Sequence, residues 1–324
     1  MSRARDIASH GYSSTNANIL INPSFTVQQR GAVIDHAANG YGPDRWKARG
    51  TDYVGGTMAQ SSTSLDATTG VNKLKIEHNG ATDYSFIQQR IEAVNLQGLY
   101  GSEITFSFGY SDSGSGDPKV NLLSFDSGGT EKTLFDAVPT DLGGGRWSCT
   151  CTLSTDDGTF PDPSNRGFSV VIYPNEKNTA PDEWYVWEPK LEAGSEATPF
   201  VARPYGEELA LCYRYLWRHT SETGNGTYYR YFNGAFTDTA AFTGVVTFPQ
   251  TMRAIPTFST AGSIAAWDGS GVFPGTVSKG GDGGNPDAAL MVITGLVGNP
   301  TRFRAGSALS DNNNNSYLEF DAEL

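Results

Sequence analysis

Charge is scarce in this chain. Asp, Glu, Lys and Arg make up 18% of its 324 residues, where roughly 25% is ordinary for a globular domain. A helical bundle, a coiled coil and a disordered chain all sit poorly with that figure. Positive charge is scarcer still. The 23 Lys and Arg against 35 Asp and Glu leave a formal net charge of −12. Such a chain repels phosphate backbones and anionic headgroups, so neither nucleic acid nor a membrane surface is an expected partner. Long apolar runs are missing too. Ala288 to Val297, among the longest, falls far short of a bilayer span. The opening Met1-Ser2-Arg3-Ala4-Arg5-Asp6 lacks the apolar segment of a signal peptide. The expectation is a protein made in a cytosol and not exported by the common route.

Residues that carry chemistry are equally thin. The four histidines, His10, His36, His78 and His219, are scattered and form no metal spacing. No Gly-x-Ser-x-Gly elbow, phosphate loop or dinucleotide fingerprint occurs. Asp112-Ser113-Gly114-Ser115-Gly116-Asp117 has the look of a calcium loop, but Leu123 stands where the closing glutamate belongs. It reads as a turn. Asp and Glu are plentiful enough for a glycosidase pair, yet nothing selects one. No catalytic residue, metal or cofactor is therefore expected. Of the three cysteines, Cys149 and Cys151 sit two apart in Arg146-Trp147-Ser148-Cys149-Thr150-Cys151-Thr152-Leu153. On a strand they share a face with Trp147 and Leu153 and point in parallel, a poor geometry for a disulfide. They read as small core residues, and all three thiols as reduced.

What is abundant points one way. Glycine numbers 38, and aromatics reach 12% with 17 Phe, 15 Tyr and 6 Trp, the composition of an all-β protein with tight turns. Residues 18 to 203 read as short strands separated by turn signals. Ile104-Thr105-Phe106-Ser107-Phe108-Gly109-Tyr110-Ser111 alternates strictly. Leu74 to His78, Phe168 to Tyr173 and Trp184 to Trp187 continue the pattern. Strands so spaced, with no internal repeat, predict an antiparallel sandwich or barrel over 19–203. Two prolines, Pro199 and Pro204, then bracket an extended break. Tyr205 to Arg214 is the one convincing helix. Pro204 suits its start, Glu207 and Glu208 suit its N-terminal dipole, and Leu209, Cys212 and Tyr213 share a face. The remainder, to Leu324, reads as a second β-sandwich, with long loops at Ala265 to Gly284 and Ser307 to Ser316. Residues 1–18 are small and polar and read as a tether.

Three stretches resemble a known family. The first half opens with Asn18-Ile19-Leu20-Ile21-Asn22-Pro23-Ser24-Phe25 and, after it, Tyr41-Gly42-Pro43-Asp44-Arg45-Trp46. It closes with Trp187-Glu188-Pro189-Lys190-Leu191-Glu192-Ala193-Gly194-Ser195-Glu196-Ala197-Thr198-Pro199-Phe200. This is similar to the carbohydrate-binding-module-like jelly roll of bacteriophage tail fibres and receptor-binding proteins. Arg203-Pro204-Tyr205-Gly206-Glu207-Glu208-Leu209 resembles the junction that follows that domain. The resemblance covers nearly the whole chain. It implies a non-enzymatic virion adhesin, a homotrimer assembled in the bacterial cytoplasm. Its N-terminus would bind other tail proteins, and its distal half, from about Leu209, would form the tip. The host-surface partner it implies is a polysaccharide or another receptor. Sugar-binding jelly rolls often hold a structural calcium. Here Thr26 and Trp187-Glu188-Pro189 replace the acidic residues, so none is expected. The alternative is a structural tail or capsid-decoration protein with the jelly roll as scaffold. A depolymerase would bring a long repetitive β-helix, which this chain lacks.

Sugar recognition needs an exposed ring beneath the apolar face of a pyranose, with amides and charges at the rim. Trp184, which faces opposite to Tyr185 and Trp187, is a candidate ring, and so are Tyr173 and Tyr84. Gln88 and Arg90 are the candidate polar groups.

Overall fold

Strict alternation of large and small residues makes Glu103–Asp112 a strand with one face fit for burial. Ile104, Phe106, Phe108 and Tyr110 all lie in the core, and Phe106 stacks on Phe108 with ring centroids 5.0 Å apart. The computed structural model describes residues 17–31, 34–35, 40–50, 60–65, 70–79, 85–112, 116–125, 131–153, 167–174, 181–221, 228–298, 300–311 and 316–324. The chain divides into two compact units, Met1–Glu208 with Leu324, and Leu209–Glu323.

The first unit carries β1 (Ile34–Asp35), β2 (Lys47–Gly50), β3 (Gln60–Leu65), β4 (Asn72–Asn79), β5 (Ser85–Glu92), β6 (Glu103–Asp112), β7 (Pro118–Phe125), β8 (Glu131–Ala137), β9 (Thr140–Gly143), β10 (Arg146–Thr152), β11 (Gly167–Pro174) and β12 (Pro181–Ala193). They form two antiparallel sheets. One, the β12 sheet, runs β1-β3-β4-β12-β6-β10-β9; the other, the β11 sheet, runs β2-β5-β11-β7-β8. Leu74, Ile76, Phe106, Trp184 and Leu191 from the first meet Ile87, Val120, Leu122, Phe168 and Val170 from the second in one apolar cluster. Each such side chain contributes about 1.5–3 kcal/mol on burial. The protein is all-β, and this unit is a two-sheet sandwich, one of the two forms the alternation allows and the jelly roll the resemblance implies. Cys149 and Cys151 lie opposite Phe106 and Ile104 on the neighbouring strand and pack against the core. All three cysteines are free thiols.

The outer face of the β12 sheet is covered by the chain itself. Lys190 and Glu192 alternate outward from β12, yet their side chains are 2% and 0% exposed and pair at 2.9 Å. Residues 194–200 close over them. The Thr198 hydroxyl and amide donate to the two Glu192 oxygens at 2.6 and 2.9 Å, and Lys190 Nζ donates to Pro199 O at 3.2 Å. Beside this strap the Trp187 indole lies flat on Gly109. A Cβ added there would stand 2.0 Å from the ring, and Lys73 Nζ caps the ring's other side at 4.5 Å from its centroid. Glycine is required at position 109 by this approach alone.

The Asn-Pro-x-Phe element and the junction form a second lock. Asn22, at φ +54°, donates from its side chain to Val27 O and Asp44 O and accepts from Val27 N. Its carbonyl takes the Trp46 indole N–H at 2.9 Å. The Arg203 guanidinium donates to the carbonyls of Asn18 and Leu20 and holds Glu208 at 2.8 Å. Glu208 in turn accepts from the Asn22 amide and is 3% exposed. Glu208 stands with Glu207 in the first turn of the helix, as expected, and there also makes this ion pair. Asn18, expected at the end of the tether, bonds Pro189 O and Leu191 N and belongs to the fold; residues 1–16 lie outside those described.

Helix α1 (Tyr205–Tyr213) crosses the division between the units. The second unit carries β13 (Leu216–Thr220), β14 (Arg230–Phe236), β15 (Ala241–Thr247), β16 (Thr257–Ala261), β17 (Ile264–Trp267), β18 (Val272–Gly284), β19 (Ala288–Thr294), β20 (Ala305–Ser310) and β21 (Tyr317–Asp321). Its expected second sandwich takes the form of a closed barrel, β14-β15-β19-β18-β17-β20, plus a sheet, β13-β21-β16. Gly234 pairs with Gly244 on one side and Gly306 on the other. A Cβ at Gly234 would sit 2.1 Å from Thr243 O, so backbones approach closely across three strands and the sheet curls shut. Phe236, Phe242, Met291 and Ile293 fill the interior. The expected loop at 265–284 is corrected: nearly all of it is β17 and β18. Of the expected loop at 307–316, Ser307 to Ser310 belong to β20, and 312–315 lie outside the described residues.

Candidate functional site

The outer face of the β11 sheet holds a pocket, although Gln88, Ser169 and Val171 on that face are buried. Along β11, Phe168, Val170 and Ile172 point into the core, so Val171 and Tyr173 point outward. Lys119, Asn121 and Leu123 do the same on β7, whose Val120 and Leu122 are buried. With Phe86 of β5 and Glu131 of β8 these residues line an open pocket of about 340 Å³. Phe86, Leu123 and Val171 make its apolar floor.

A hydrogen-bonded row across three strands makes its polar edge. Lys119 Nζ lies 3.0 Å from Asp136 Oδ2. Asn121, its amide nitrogen turned toward Asp136, donates to Oδ1 at 2.8 Å and accepts from the Tyr173 hydroxyl at 3.2 Å. Asp136 stands directly across from Asn121, and Tyr173 directly across from Lys119. The hydrogen bond to Asp136 raises the Lys119 pKa; burial, and then the charge of Asp136, raises that of Tyr173. Lys119 is therefore a cation and Tyr173 a neutral phenol at pH 7. Beyond the pocket, Arg90 pairs with Glu131 at 2.9 Å and lies 4.7 Å from the Phe125 ring centroid. The rim holds two cations and two carboxylates in matched pairs. Carboxylates pinned this way accept hydroxyls well and are poorly placed to shuttle protons.

The predicted site residues divide. Tyr173 lines the pocket and Arg90 flanks it through Glu131. Trp184 is a correction: it is 1% exposed and packs 6.0 Å from Tyr110 in the core. It does face opposite to Trp187, but alternation cannot say which face is inward. Gln88 is a second correction. It shares the outer face with Phe86 and Arg90, yet is 0% exposed, with neither amide atom partnered. Tyr84 lies outside the described residues. Lys119 and Asn121 were missed, although the in-out pattern of Pro118–Phe125 carried the signal, and Asp136 on the neighbouring strand was missed with them. Among the described residues no group of three or more His, Cys, Asp or Glu converges on a metal position, and no helix is long and apolar enough to cross a membrane.

No protein-family model and no curated protein matches the chain. Solved structures do. A putative sugar binding protein from Bacteroides thetaiotaomicron is 12% identical, with a TM-score of 0.34, over 55% of this chain and 100% of that one. The CBM22-1 xylan-binding domain of Paenibacillus barcinonensis Xyn10C is 10% identical, with a TM-score of 0.33, over 57% of this chain and 99% of its own. The enzymatically active domain of bacteriophage CBA120 tailspike protein 4 is 10% identical, with a TM-score of 0.34, over 55% of this chain and 21% of that chain. At these scores the likenesses carry no argument about ligand or activity.

Proposed function

We propose that the first unit binds a saccharide in the β11-sheet pocket, without catalysis, and that the chain is a tail-fibre adhesin attaching a phage to its host. The observation that carries the binding reading is the pocket's construction. A ring and an apolar floor lie beside a row of polar groups fixed by one another: Lys119, Asp136, Asn121 and Tyr173. Pyranoses present this combination, an apolar C–H face edged by hydroxyls. The family resemblance of the junction and of the Asn-Pro-x-Phe element supports the virion setting. It extends to a homotrimer whose N-terminus joins other tail proteins and whose partner is a host-surface polysaccharide. A glycan array with full-length protein tests the reading. Binding to at least one host polysaccharide is expected, with roughly 10-fold weaker affinity for Tyr173→Ala and no release of reducing sugar. A folded protein that binds no glycan yet incorporates normally into virions would instead be a structural scaffold.

A further inference from the structure

Phe303 is disfavoured twice where it stands. Its φ is +63°, in the left-handed region that bulky residues avoid, and its side chain is 74% exposed. The backbone is held there from both sides. The Phe303 amide donates to Phe236 O at 2.7 Å, and the Phe236 amide donates to Arg304 O at 3.0 Å. Phe236 is fully buried in the barrel, so this bulge cannot relax. Glycine or asparagine would suit both the conformation and the solvent. Folding alone gives no reason for phenylalanine.

The neighbouring arginine, Arg302, differs from Arg218 and Arg304. Arg218 is tied to Glu319, and Arg304 to the buried Asp268. Arg302 donates from Nε to Thr237 O at 3.1 Å, and its guanidinium carbon lies 4.7 Å from the Phe303 ring centroid. Its terminal nitrogens have no partner among the described residues. The nearby Asp238 uses Oδ1 to accept from the Ala240 amide at 2.6 Å. In a chain of net charge −12, this connection between β19 and β20 thus offers an unpaired guanidinium edge beside a bare ring. Val297, 70% exposed, lies on the same connection. Three such side chains are too few for a stable protein interface, which needs about 800 Å² from each partner.

We infer that Arg302 and Phe303 form a contact site for an acidic saccharide, separate from the β11-sheet pocket. The open face of the Phe303 ring lies under the apolar face of the sugar, and the Arg302 terminal nitrogens grip a uronate carboxylate in bidentate fashion. The backbone bonds to Phe236 hold the Cα of Phe303 in place before the ligand arrives, which lowers the entropy lost on binding.

The test uses full-length protein, oligogalacturonate, and the same oligomer with its carboxyls reduced. Wild type should bind the acidic oligomer at least 10-fold more tightly, and added salt should erode the difference. Phe303→Asn and Arg302→Gln should each remove that preference, while Phe303→Asn leaves Tm unchanged or raised. Tyr173→Ala should retain the preference, so that loss of the pocket and loss of this site are read separately. Equal affinity of Phe303→Asn and wild type for the acidic oligomer would overturn the inference. So would a fall in Tm, which would make Phe303 structural, or dissociation of an oligomer by Phe303→Asn in sedimentation, which would make it a contact between copies. An absence of preference for the carboxylate in wild type would overturn it as well.

Discussion

The two outer faces of the sandwich were made differently. On the β12 sheet, residues 194–200 fold over Lys190 and Glu192, and Trp187 is spent between Gly109 and Lys73. On the β11 sheet, Tyr173, Asn121 and Lys119 are tied to one another and to Asp136 beside the apolar floor of a pocket. Both faces carry aromatic rings, ion pairs and glycine-rich turns in the sequence. What separates them is who satisfies the polar groups. A face whose polar groups are closed by the chain's own strap serves stability, while the face with the preorganised pocket is the one proposed to take a ligand.

Breaking the closed face should have the largest effect. Lys190→Met leaves the Glu192 carboxylate buried without its cation and should cost about 3–5 kcal/mol in denaturant unfolding. Replacing both residues, as in Lys190→Met with Glu192→Leu, should recover much of that loss. Gly109→Ala comes next. Its methyl would stand 2.0 Å from the indole, so Trp187 must lift away, at about 1–3 kcal/mol. Neither change should alter glycan affinity beyond its effect on the folded fraction.

The open face should respond in the opposite way. Tyr173→Phe keeps the ring and removes the hydroxyl that Asn121 accepts from. Affinity should fall by roughly 3- to 10-fold, about 0.7–1.4 kcal/mol, with little change in Tm.

The smallest effect concerns the thiols. Burial pushes Cys149 up to about 12 and Cys151 up to about 11, from an ordinary value of 9.0. Because the folded values are raised, their contribution to stability is complete below pH 9 and is lost as pH rises through 11 to 12. Native alkylation at pH 8 should therefore be slow at both and accelerate with pH. Rapid quantitative labelling at pH 8 would contradict the packing described for β10.

Much of this was legible in residue order, and the failures have physical causes. Strict alternation in Glu103–Asp112 located a core strand without ambiguity, because four large side chains cannot all face water. Alternation in Pro181–Ala193 was equally clear but gave no direction, since Trp184 and Trp187 are the same residue type. Only the glycines at 109 and 145, distant in sequence, show that the outward indole had a bed to lie in. The run from Gly280 to Gly284 reads as a loop. It lies within β18, with Leu290 against Gly280 and Ile255 against Gly284. The junction motif was visible as a pattern. Its role in holding residues 18–22 through Arg203 and Glu208 depends on pairing across more than 180 positions, which no local reading supplies.

The contrast between the two faces is tested most directly by one paired titration. Tyr173→Ala and Trp187→Phe, each confirmed folded by its thermal transition, are titrated in parallel with the polysaccharide that binds wild type. Affinity is expected to fall roughly 10-fold or more for Tyr173→Ala and to stay at the wild-type value for Trp187→Phe. Loss of binding by Trp187→Phe with retention by Tyr173→Ala would place the ligand on the β12 sheet and contradict the account.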